Sequence, residues 1–292
     1  MARGGRGSAN AWHDARSFGL ADSAGDPREG SRRLTSSCCF ATIRMTPYGM
    51  DIHGRVALVT GAGHRVGRAI ALALASRGMR VAVHYNATAK GAGETVEQIR
   101  SAGGEAESFA ADLTHADAAA TLVSTVAEKF GALDVLVNSA AVMVRTPFGE
   151  VTPKQWDDIM ALNLRAPFFL AQAAASRLRA ARGVIVNIAD LAAFETWPAY
   201  LPHGISKSGV VHLTRSLARV LAPEVRVAGI APGTVLLPEN WDAGAAEHLR
   251  ETTPLGRSGS PADVTSTVLF ILDSDYLTGE TIIVDGGRHV RR

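Results

Sequence analysis

Three groups of residues in this chain have the side chains needed for proton transfer beside a bound anion. His203 precedes Lys207 by four residues, about one helical turn, so both side chains project from the same face of a helix. Asp190 ends an apolar run, and a glycine-rich turn at residues 60–67 follows another apolar run. Imidazole, ammonium and carboxylate groups that meet at one site can exchange protons with a substrate.

The elements that must position these groups alternate regularly from Arg55 onward. Short apolar runs predict seven strands, separated by segments with helical periodicity. The predicted strands lie at residues 56–59, 81–85, 106–110, 135–137, 184–188, 225–230 and 281–284. Successive right-handed crossovers then predict an α/β fold, a single doubly wound Rossmann domain whose parallel sheet has the order 3-2-1-4-5-6-7 and helices on both faces.

Two helices are predicted in more detail because they carry candidate residues. A long helix is expected at residues 153–179, with a possible kink near Pro167. The helix that holds Lys207 should end near Leu221, before Pro223. Pro202 fits best in its first turn, which leaves Tyr200 just outside the helix.

Composition narrows the function class. The chain has 292 residues, 47% hydrophobic and 20% charged, with a formal net charge of +2, as is typical of a soluble globular protein. There is no basic stripe for nucleic acid, no apolar run of roughly 20 residues for a membrane and no pattern of metal ligands. Cys38 and Cys39 are the only cysteines, so a cytoplasmic protein without disulfides or metal is predicted.

The N-terminal segment differs from the rest of the chain. Residues 1–44 contain seven arginines, four acidic residues and no periodicity. We expect residues 1–49 to be either a disordered extension or an over-long reading frame whose true start is Met45 or Met50, and residues 50–292 to form the folded domain. The four acidic residues argue against a transit peptide.

The glycine-rich turn suits an anion. Backbone N–H groups at a helix N-terminus are unpaired, and the helix dipole favours a phosphate there. Gly61 permits tight backbone geometry, and Gly67 lets the helix approach the sheet. The strand before the turn and the helix after it make a dinucleotide site the expected function.

The spacing Thr-Gly-x-x-x-Arg-x-Gly at residues 60–67 resembles the short-chain dehydrogenase/reductase family, and the resemblance extends over about residues 54–288. It implies hydride transfer with a nicotinamide dinucleotide, a small-molecule substrate and a homotetramer. The residues that it implies for cofactor binding are Gly61, Arg65, Val66, Gly67, Tyr85, Asn86, Thr88, Asp112, Leu113, Asn138, Ala140, Lys207, Pro232, Gly233 and Val235.

NADPH is the expected cofactor. An acidic residue at the end of the second strand would bind a ribose 2′-hydroxyl and repel a 2′-phosphate, and none is present there. The run at residues 84–88 resembles NADPH-dependent pteridine reductases, with Thr88 at the phosphate-facing place. It departs from them at Ala87, where an arginine is usual.

The resemblance also assigns catalytic roles. Lys207 would hold the nicotinamide ribose, and Asn163 would order a water molecule in a proton relay. His203 stands where the family has its catalytic tyrosine, so its contribution is the open question. Asp190 replaces the usual serine, as in pteridine reductases; its pKa is expected to rise through burial, although it could instead cap the following loop.

Substrate contacts are expected from Arg65, Met143, Asp190 and Tyr200, with residues 236–259 as a mobile lid. Met143 occupies the place where pteridine reductases stack a phenylalanine on the pterin, so a pterin, another carbonyl or an imine all stay open. The competing hypothesis is a homologue that binds the dinucleotide with weak or no catalysis and acts as a binding or regulatory protein.

Overall fold

A computed structural model of the protein describes residues 49–236 and 243–290. The strands are β1 Val56–Val59, β2 Arg80–Tyr85, β3 Ala106–Ala110, β4 Val135–Asn138, β5 Val184–Ile188, β6 Arg226–Pro232 and β7 Thr281–Val284. The helices are α1 Arg65–Ser76, α2 Ala89–Ser101, α3 Ala118–Phe130, α4 Pro153–Met160, α5 Ala166–Ala181, α6 Leu201–Leu221, α7 Ala243–Thr252 and α8 Pro261–Asp273. The prediction for the N-terminal extension therefore falls almost wholly outside the described residues.

All seven strands pair in parallel, in the order β3-β2-β1-β4-β5-β6-β7, which confirms the predicted topology. Strands β1, β4 and β5 are buried at every position, because helices cover both faces of the sheet. On one face Val59 packs with Ile70 of α1 and Val268 of α8. On the other face Leu58 packs in a core that includes α3, α5 and α6.

The predicted long helix is present, but it contains a π turn before its proline. α4 ends at Met160, and a π-helical turn, Ala161–Arg165, joins it to α5. Pro167 lies within the first two positions of α5, where a missing N–H is tolerated, so the irregularity is the π turn rather than a proline kink. The π turn carries Asn163 into the buried interior.

α6 has the bounds and the start that the sequence predicts. It runs from Leu201 to Leu221, with Pro202 in its first turn and Tyr200 at the N-cap position. The expected lid was wrong in one respect, since residues 243–252 form α7 rather than loop. Residues 237–242 of that segment lie outside the described part of the chain. No helix in the described ranges is long and apolar enough to cross a bilayer.

Candidate active site

The carboxyl ends of the strands open into one cavity of about 760 Å³, at the crevice where doubly wound sheets bind their ligands. Most of the predicted site residues line it. They are Gly61, Arg65, Val66, Gly67, Tyr85, Asn86, Thr88, Leu113, Ala140, Met143, Asp190, Tyr200, His203, Lys207, Pro232, Gly233 and Val235. The cavity lining does not include Asp112, Asn138 or Asn163.

The glycine-rich turn is held tightly against the end of β4. Gly61 has a φ of 68°, and an added Cβ would lie 2.9 Å from the Ala140 Cα atom. A Cβ on Gly67 would lie 2.3 Å from the Gly61 carbonyl oxygen. The Thr60 hydroxyl accepts hydrogen bonds from the backbone N–H groups of Ser139 and Ala140, at 2.9 and 3.0 Å. Two turns that line the cavity are thus fixed to each other.

Arg65 begins α1 in a left-handed backbone conformation, with a φ of 49°. Residues with a Cβ atom seldom adopt this conformation, and at a ligand site it points to a functional constraint. The Arg65 guanidinium donates a hydrogen bond to the carbonyl oxygen of Leu236, at 3.3 Å. The first turn of α1 contains no acidic residue, so nothing there opposes an anion.

His84 is buried beneath the glycine-rich turn. Its Nδ1 atom accepts a hydrogen bond from the Gly61 N–H at 3.1 Å, and its Nε2 atom lies 3.0 Å from the Ala111 carbonyl oxygen, to which it must donate. These two partners assign the neutral tautomer with the proton on Nε2. Burial lowers the pKa of His84, in agreement with a neutral ring.

The part of the cavity predicted to hold the adenosine of the dinucleotide is lined by no carboxylate among the described residues. Tyr85, Asn86 and Thr88 line it after β2, and Leu113 lines it after β3. The Asp112 carboxylate accepts hydrogen bonds from the Thr114 hydroxyl and N–H, and these bonds hold the pKa of Asp112 below its usual value. Both bonds go to Oδ1, so Oδ2 is the carboxylate oxygen that these bonds leave available.

Asn138 lies behind the cavity wall. Its Nδ2 atom donates to Asn187 Oδ1 at 2.8 Å, and Asn187 Nδ2 donates to the Thr214 hydroxyl at 2.9 Å. All three side chains are buried. This chain of hydrogen bonds ties β4 to β5, and β5 to α6, the helix that carries Lys207.

His203 faces the cavity with one ring nitrogen fixed and the other without a hydrogen-bond partner. Nδ1 lies 3.2 Å from the Val142 carbonyl oxygen, which can only accept, so we assign the Nδ1 proton to this bond. Nε2 has no hydrogen-bond partner and lies 3.6 Å from Asp190 Oδ2. That distance is too long for a hydrogen bond but suits an ion pair when both groups are charged. Nε2 is thus the atom that can exchange a proton.

Asn163 supports this orientation from the π turn. Its Oδ1 atom accepts from the Val142 N–H at 2.8 Å, and its Nδ2 atom donates to the Val142 carbonyl and to the Ser206 hydroxyl, at 2.9 and 3.1 Å. These bonds use both amide protons. The longer 3.4 Å contact to His203 Nδ1 therefore leaves that nitrogen free to donate to Val142.

Asp190 combines both roles that its sequence position allowed. Oδ1 accepts from the Ala192 N–H at 2.8 Å and caps a short 3₁₀ turn, while Oδ2 faces His203. The Asp190 side chain is 26% exposed to solvent, so it is less buried than its position after β5 suggested.

Lys207 is the most strongly perturbed group in the cavity. Its Nζ atom donates to the Ile188 carbonyl oxygen at 2.8 Å, and the residue is only 4% exposed. Burial lowers the pKa of Lys207 to about 8, and the Asp190 charge partly opposes this shift. A cation with a depressed pKa in a cleft is a typical feature of a catalytic site.

The substrate end is aromatic. The rings of Trp197 and Tyr200 meet edge to face, with centroids 6.4 Å apart, and both residues line the cavity. Met143, also in the lining, is 48% exposed. The predicted substrate residues Met143 and Tyr200 thus line the same cavity as Asp190 and His203.

Sequence reasoning missed several lining residues, among them His84, Trp197 and Arg288. A histidine inside an otherwise apolar strand was a usable signal for His84. Trp197 lies between β5 and α6, and Arg288 lies in the segment after β7. Tertiary structure sets the path of both segments, so the two positions had no local signal. Within residues 49–236 and 243–290, no cluster of three or more His, Cys, Asp or Glu side chains could hold a metal ion.

Comparison with known proteins agrees with this geometry. Residues 61–289 match the family model described as enoyl-(acyl carrier protein) reductase. The chain is 35% identical to a 3-oxoacyl-[acyl-carrier-protein] reductase of Synechocystis over 240 residues, 80% of this chain and 96% of that protein. It is 32% identical to 3beta-hydroxysteroid dehydrogenase 1 of Eggerthella lenta over 246 residues, 81% of this chain and 94% of that protein.

A solved structure from Sinorhizobium meliloti 1021, described provisionally as a short-chain alcohol dehydrogenase, superposes with a TM-score of 0.78. It is 37% identical, and the match covers 83% of this chain and 99% of that one. Fold and site together define an oxidoreductase of the Rossmann type. The chain belongs to the short-chain dehydrogenase/reductase family.

Proposed function

We propose that this protein is an NADP(H)-dependent oxidoreductase that transfers a hydride to a small carbonyl, imine or pterin substrate. The observation that carries the proposal is the meeting of Lys207, His203 and Asp190 in the cavity that the glycine-rich turn also lines. An anion site and a proton-exchanging pair in one cleft are what a dinucleotide-dependent reductase requires.

The lining charges fit the dinucleotide. Arg65, Lys207 and Arg288 line the cavity, and Asp190 is the one carboxylate among the described lining residues. The first turn of α1 would hold the diphosphate, Thr88 and Asn86 the adenosine end, and Lys207 the nicotinamide ribose. When bound, NADPH supplies the hydride.

The chain itself handles the proton. His203 holds its Nδ1 proton on Val142, so a proton carried on Nε2 points toward Asp190 and the cavity. An imidazolium there can donate to the oxygen or nitrogen that gains negative charge as the hydride arrives. Asp190 Oδ2, 3.6 Å from Nε2, is placed to form an ion pair with the charged ring.

Substrate identity rests on two sets of observations. Arg65 and Asp190 favour a pteridine reductase-like substrate, because a guanidinium and a carboxylate can both pair with a planar heterocycle. The two relatives named above are a 3-oxoacyl reductase and a hydroxysteroid dehydrogenase, which favours a ketone. We therefore place pterins and ketones side by side as candidate substrates.

The substrate test is a matched panel. Dihydrobiopterin, dihydrofolate, a 3-oxoacyl thioester and small ketones are assayed with NADPH, using Lys207→Met as the background control. Turnover of the reduced pterins alone supports the pteridine branch, and turnover of ketones alone removes it. Absence of turnover throughout would contradict the proposed activity.

The cofactor test compares NADPH with NADH in kcat/KM. We expect NADPH to be preferred, because no acidic residue follows β2. Ala87→Arg should strengthen the preference by adding a phosphate partner, and the matched variant Ala87→Asp should reverse it by repelling the 2′-phosphate. Equal efficiency with both cofactors would contradict the preference for NADPH.

A second function is favoured by one observation, the imidazole of His203 where relatives of this type are expected to carry a tyrosine. In that case the protein binds NADP(H) with weak or no catalysis and acts as a binding or regulatory protein. His203→Tyr discriminates, with His203→Phe as control. A large gain with tyrosine alone favours the binding protein, whereas losses in both variants show that the imidazole works in catalysis.

We also propose, from the family, a cytoplasmic homotetramer. Sedimentation velocity measures the assembly directly. A stable monomer at micromolar concentration would contradict this part of the proposal.

A further inference from the structure

Arg288 lines the cavity from the far end of the chain. It opens a short 3₁₀ helix, Arg288–Val290, directly after Gly286 and Gly287, whose φ angles are 68° and 88°. These left-handed residues reverse the chain after β7. The Arg288 side chain thereby returns to the turn after β6, where its Nη1 atom donates to the Thr234 hydroxyl at 3.3 Å.

Arg65 reaches the same turn from the start of α1. Its Nη2 atom donates to the Leu236 carbonyl oxygen, two residues beyond the Thr234 that Arg288 contacts. Both arginines line the same cavity. Two guanidinium groups from distant parts of the chain, α1 and the segment after β7, thus converge on residues 234–236.

Neither guanidinium is neutralised by protein in the described ranges. No ion pair there includes Arg65 or Arg288. Asp285 is close in sequence to Arg288, but its carboxylate accepts from the Gly287 N–H and from the backbone and ring of His289. The one lining carboxylate, Asp190, faces His203.

Arg288 also has a donor without a partner. Its Nε atom is buried and has no hydrogen-bond acceptor. A buried donor is seldom left unpaired, so the atom calls for an explanation. Guanidinium groups present five donors in a fixed fork that matches the oxygens of a phosphate or carboxylate.

We propose that Arg288 and Arg65 form a two-arginine anion site that holds a phosphate or carboxylate group against residues 234–236. The group belongs either to the diphosphate of the bound dinucleotide or to an anionic substrate. The naming of these two sources rests on the proposed function, whereas the anion site itself does not. It extends the binding residues to Arg288, near the C-terminus.

The experiment compares Arg288→Gln with Arg288→Lys, which keeps the charge but loses the fork, and with Arg219→Gln, an exposed position on α6 that controls for net charge. NADPH binding is measured by fluorescence titration. Substrate binding is measured on the NADPH-saturated protein with acetoacetate and its neutral methyl ester. A third arm follows thermal unfolding with inorganic pyrophosphate alone.

If the diphosphate is the ligand, Arg288→Gln raises the Kd for NADPH by about tenfold or more, and Arg288→Lys falls between it and the wild type. If a substrate anion is the ligand, NADPH binding is unchanged, and only binding of acetoacetate weakens by a similar factor. Arg219→Gln matches the wild type in both cases.

The pyrophosphate arm separates this inference from the proposed function. Suppose that pyrophosphate stabilises the wild-type protein, that Arg288→Gln abolishes this stabilisation, and that NADPH does not bind. The anion site is then supported, and the proposed cofactor is contradicted. Arg288→Gln that behaves like Arg219→Gln in all three arms overturns the inference.

Discussion

The two halves of the cavity differ in how completely the protein satisfies its own polar groups. Beneath the glycine-rich turn, His84 uses both ring nitrogens and Thr60 accepts from two backbone N–H groups. At the β5–α6 end, His203 Nε2 has no hydrogen-bond partner and Lys207 holds a depressed pKa in a buried position.

This difference separates a scaffold from a reacting centre. Fully bonded groups at the turn fix backbone geometry and exchange no protons. The groups at the other end are costly to the fold, since an unpaired buried nitrogen and a buried ammonium both oppose folding. We expect substitutions of the fully bonded groups at the first end to reduce stability, and substitutions of His203 and Lys207 at the second end to reduce activity.

The largest effect is expected for Lys207→Met. Loss of the ammonium should lower kcat/KM by about 10²–10⁴-fold, the range typical of groups that assist proton transfer. Because burial lowers the pKa of Lys207 from 10.5 to about 8, the charged form costs the folded state roughly 3 kcal/mol at pH 7. The Lys207→Met variant should regain part of this free energy of unfolding, reduced by the loss of the hydrogen bond to the Ile188 carbonyl oxygen.

The pH dependence of unfolding tests whether the buried Lys207 charge destabilises the folded state. The cost is fully present below pH 8 and disappears as pH rises from about 8 to 10.5, so the stability advantage of Lys207→Met should shrink over that window. Chemical denaturation at pH 7 and pH 10 measures it. A variant less stable than wild type at pH 7 would contradict the burial argument.

His84→Leu should destabilise the turn by about 2 kcal/mol, because it leaves the Gly61 N–H and the Ala111 carbonyl without their partner. His84→Gln, which can both accept and donate, is the matched control and should lose less. Urea unfolding and NADPH titration measure the two variants. Equal losses in both would mean that ring volume, not hydrogen bonding, matters.

His84 also gives a pH dependence of known sign. Its pKa is lowered in the folded state, so the unfolded chain takes up the proton first. The free energy of unfolding should therefore fall as pH drops below about 6.5, the ordinary histidine value. His84→Gln should lose this part of the acid sensitivity when the two unfolding profiles are compared.

Gly67→Ala tests the close contact of α1 with the turn. Its Cβ would lie 2.3 Å from the Gly61 carbonyl oxygen, so we expect a loss of about 1–3 kcal/mol in unfolding free energy and weaker NADPH binding. Gly93→Ala in α2 meets nothing within 4 Å and should gain about 1 kcal/mol from helix propensity. Similar results for the two variants would argue against a tight turn.

The smallest effect on stability is expected for Arg65→Gly. Relief of the left-handed strain should stabilise the fold by about 1 kcal/mol. Arg182 has a φ of 50° outside the cavity lining, so Arg182→Gly should give the same gain without any change in ligand binding. Thermal unfolding together with NADPH titration separates the strain of Arg65 from its function.

Sequence reasoning recovered the sheet order because parallel crossovers leave few alternatives once seven apolar runs are recognised. It also placed the start of α6, since Pro202 marks a first turn. It missed the π turn at Asn163, because an extra residue in a helix changes no residue type or period that can be read from a single chain.

The same limit applies to the site. Asp190 and Lys207 follow elements with clear periodicity, so their meeting could be predicted. The tautomer of His203 depends on Val142, 61 residues away, and the position of Arg288 depends on a turn 54 residues earlier. Such contacts follow from the assembled fold and have no local sequence signal.

The all-parallel sheet described above has a consequence for how the chain folds. Each strand must wait for a complete crossover before it finds a neighbour, and the central pairing of β1 with β4 joins residues such as Ala57 and Val135, which are 78 residues apart. A loop of this length must close, and lose conformational entropy, before the strand contacts that stabilise it can form. Folding is therefore expected to be slow. The cavity, built from the ends of strands that span the whole sheet, should therefore be among the last features to acquire its final geometry during refolding.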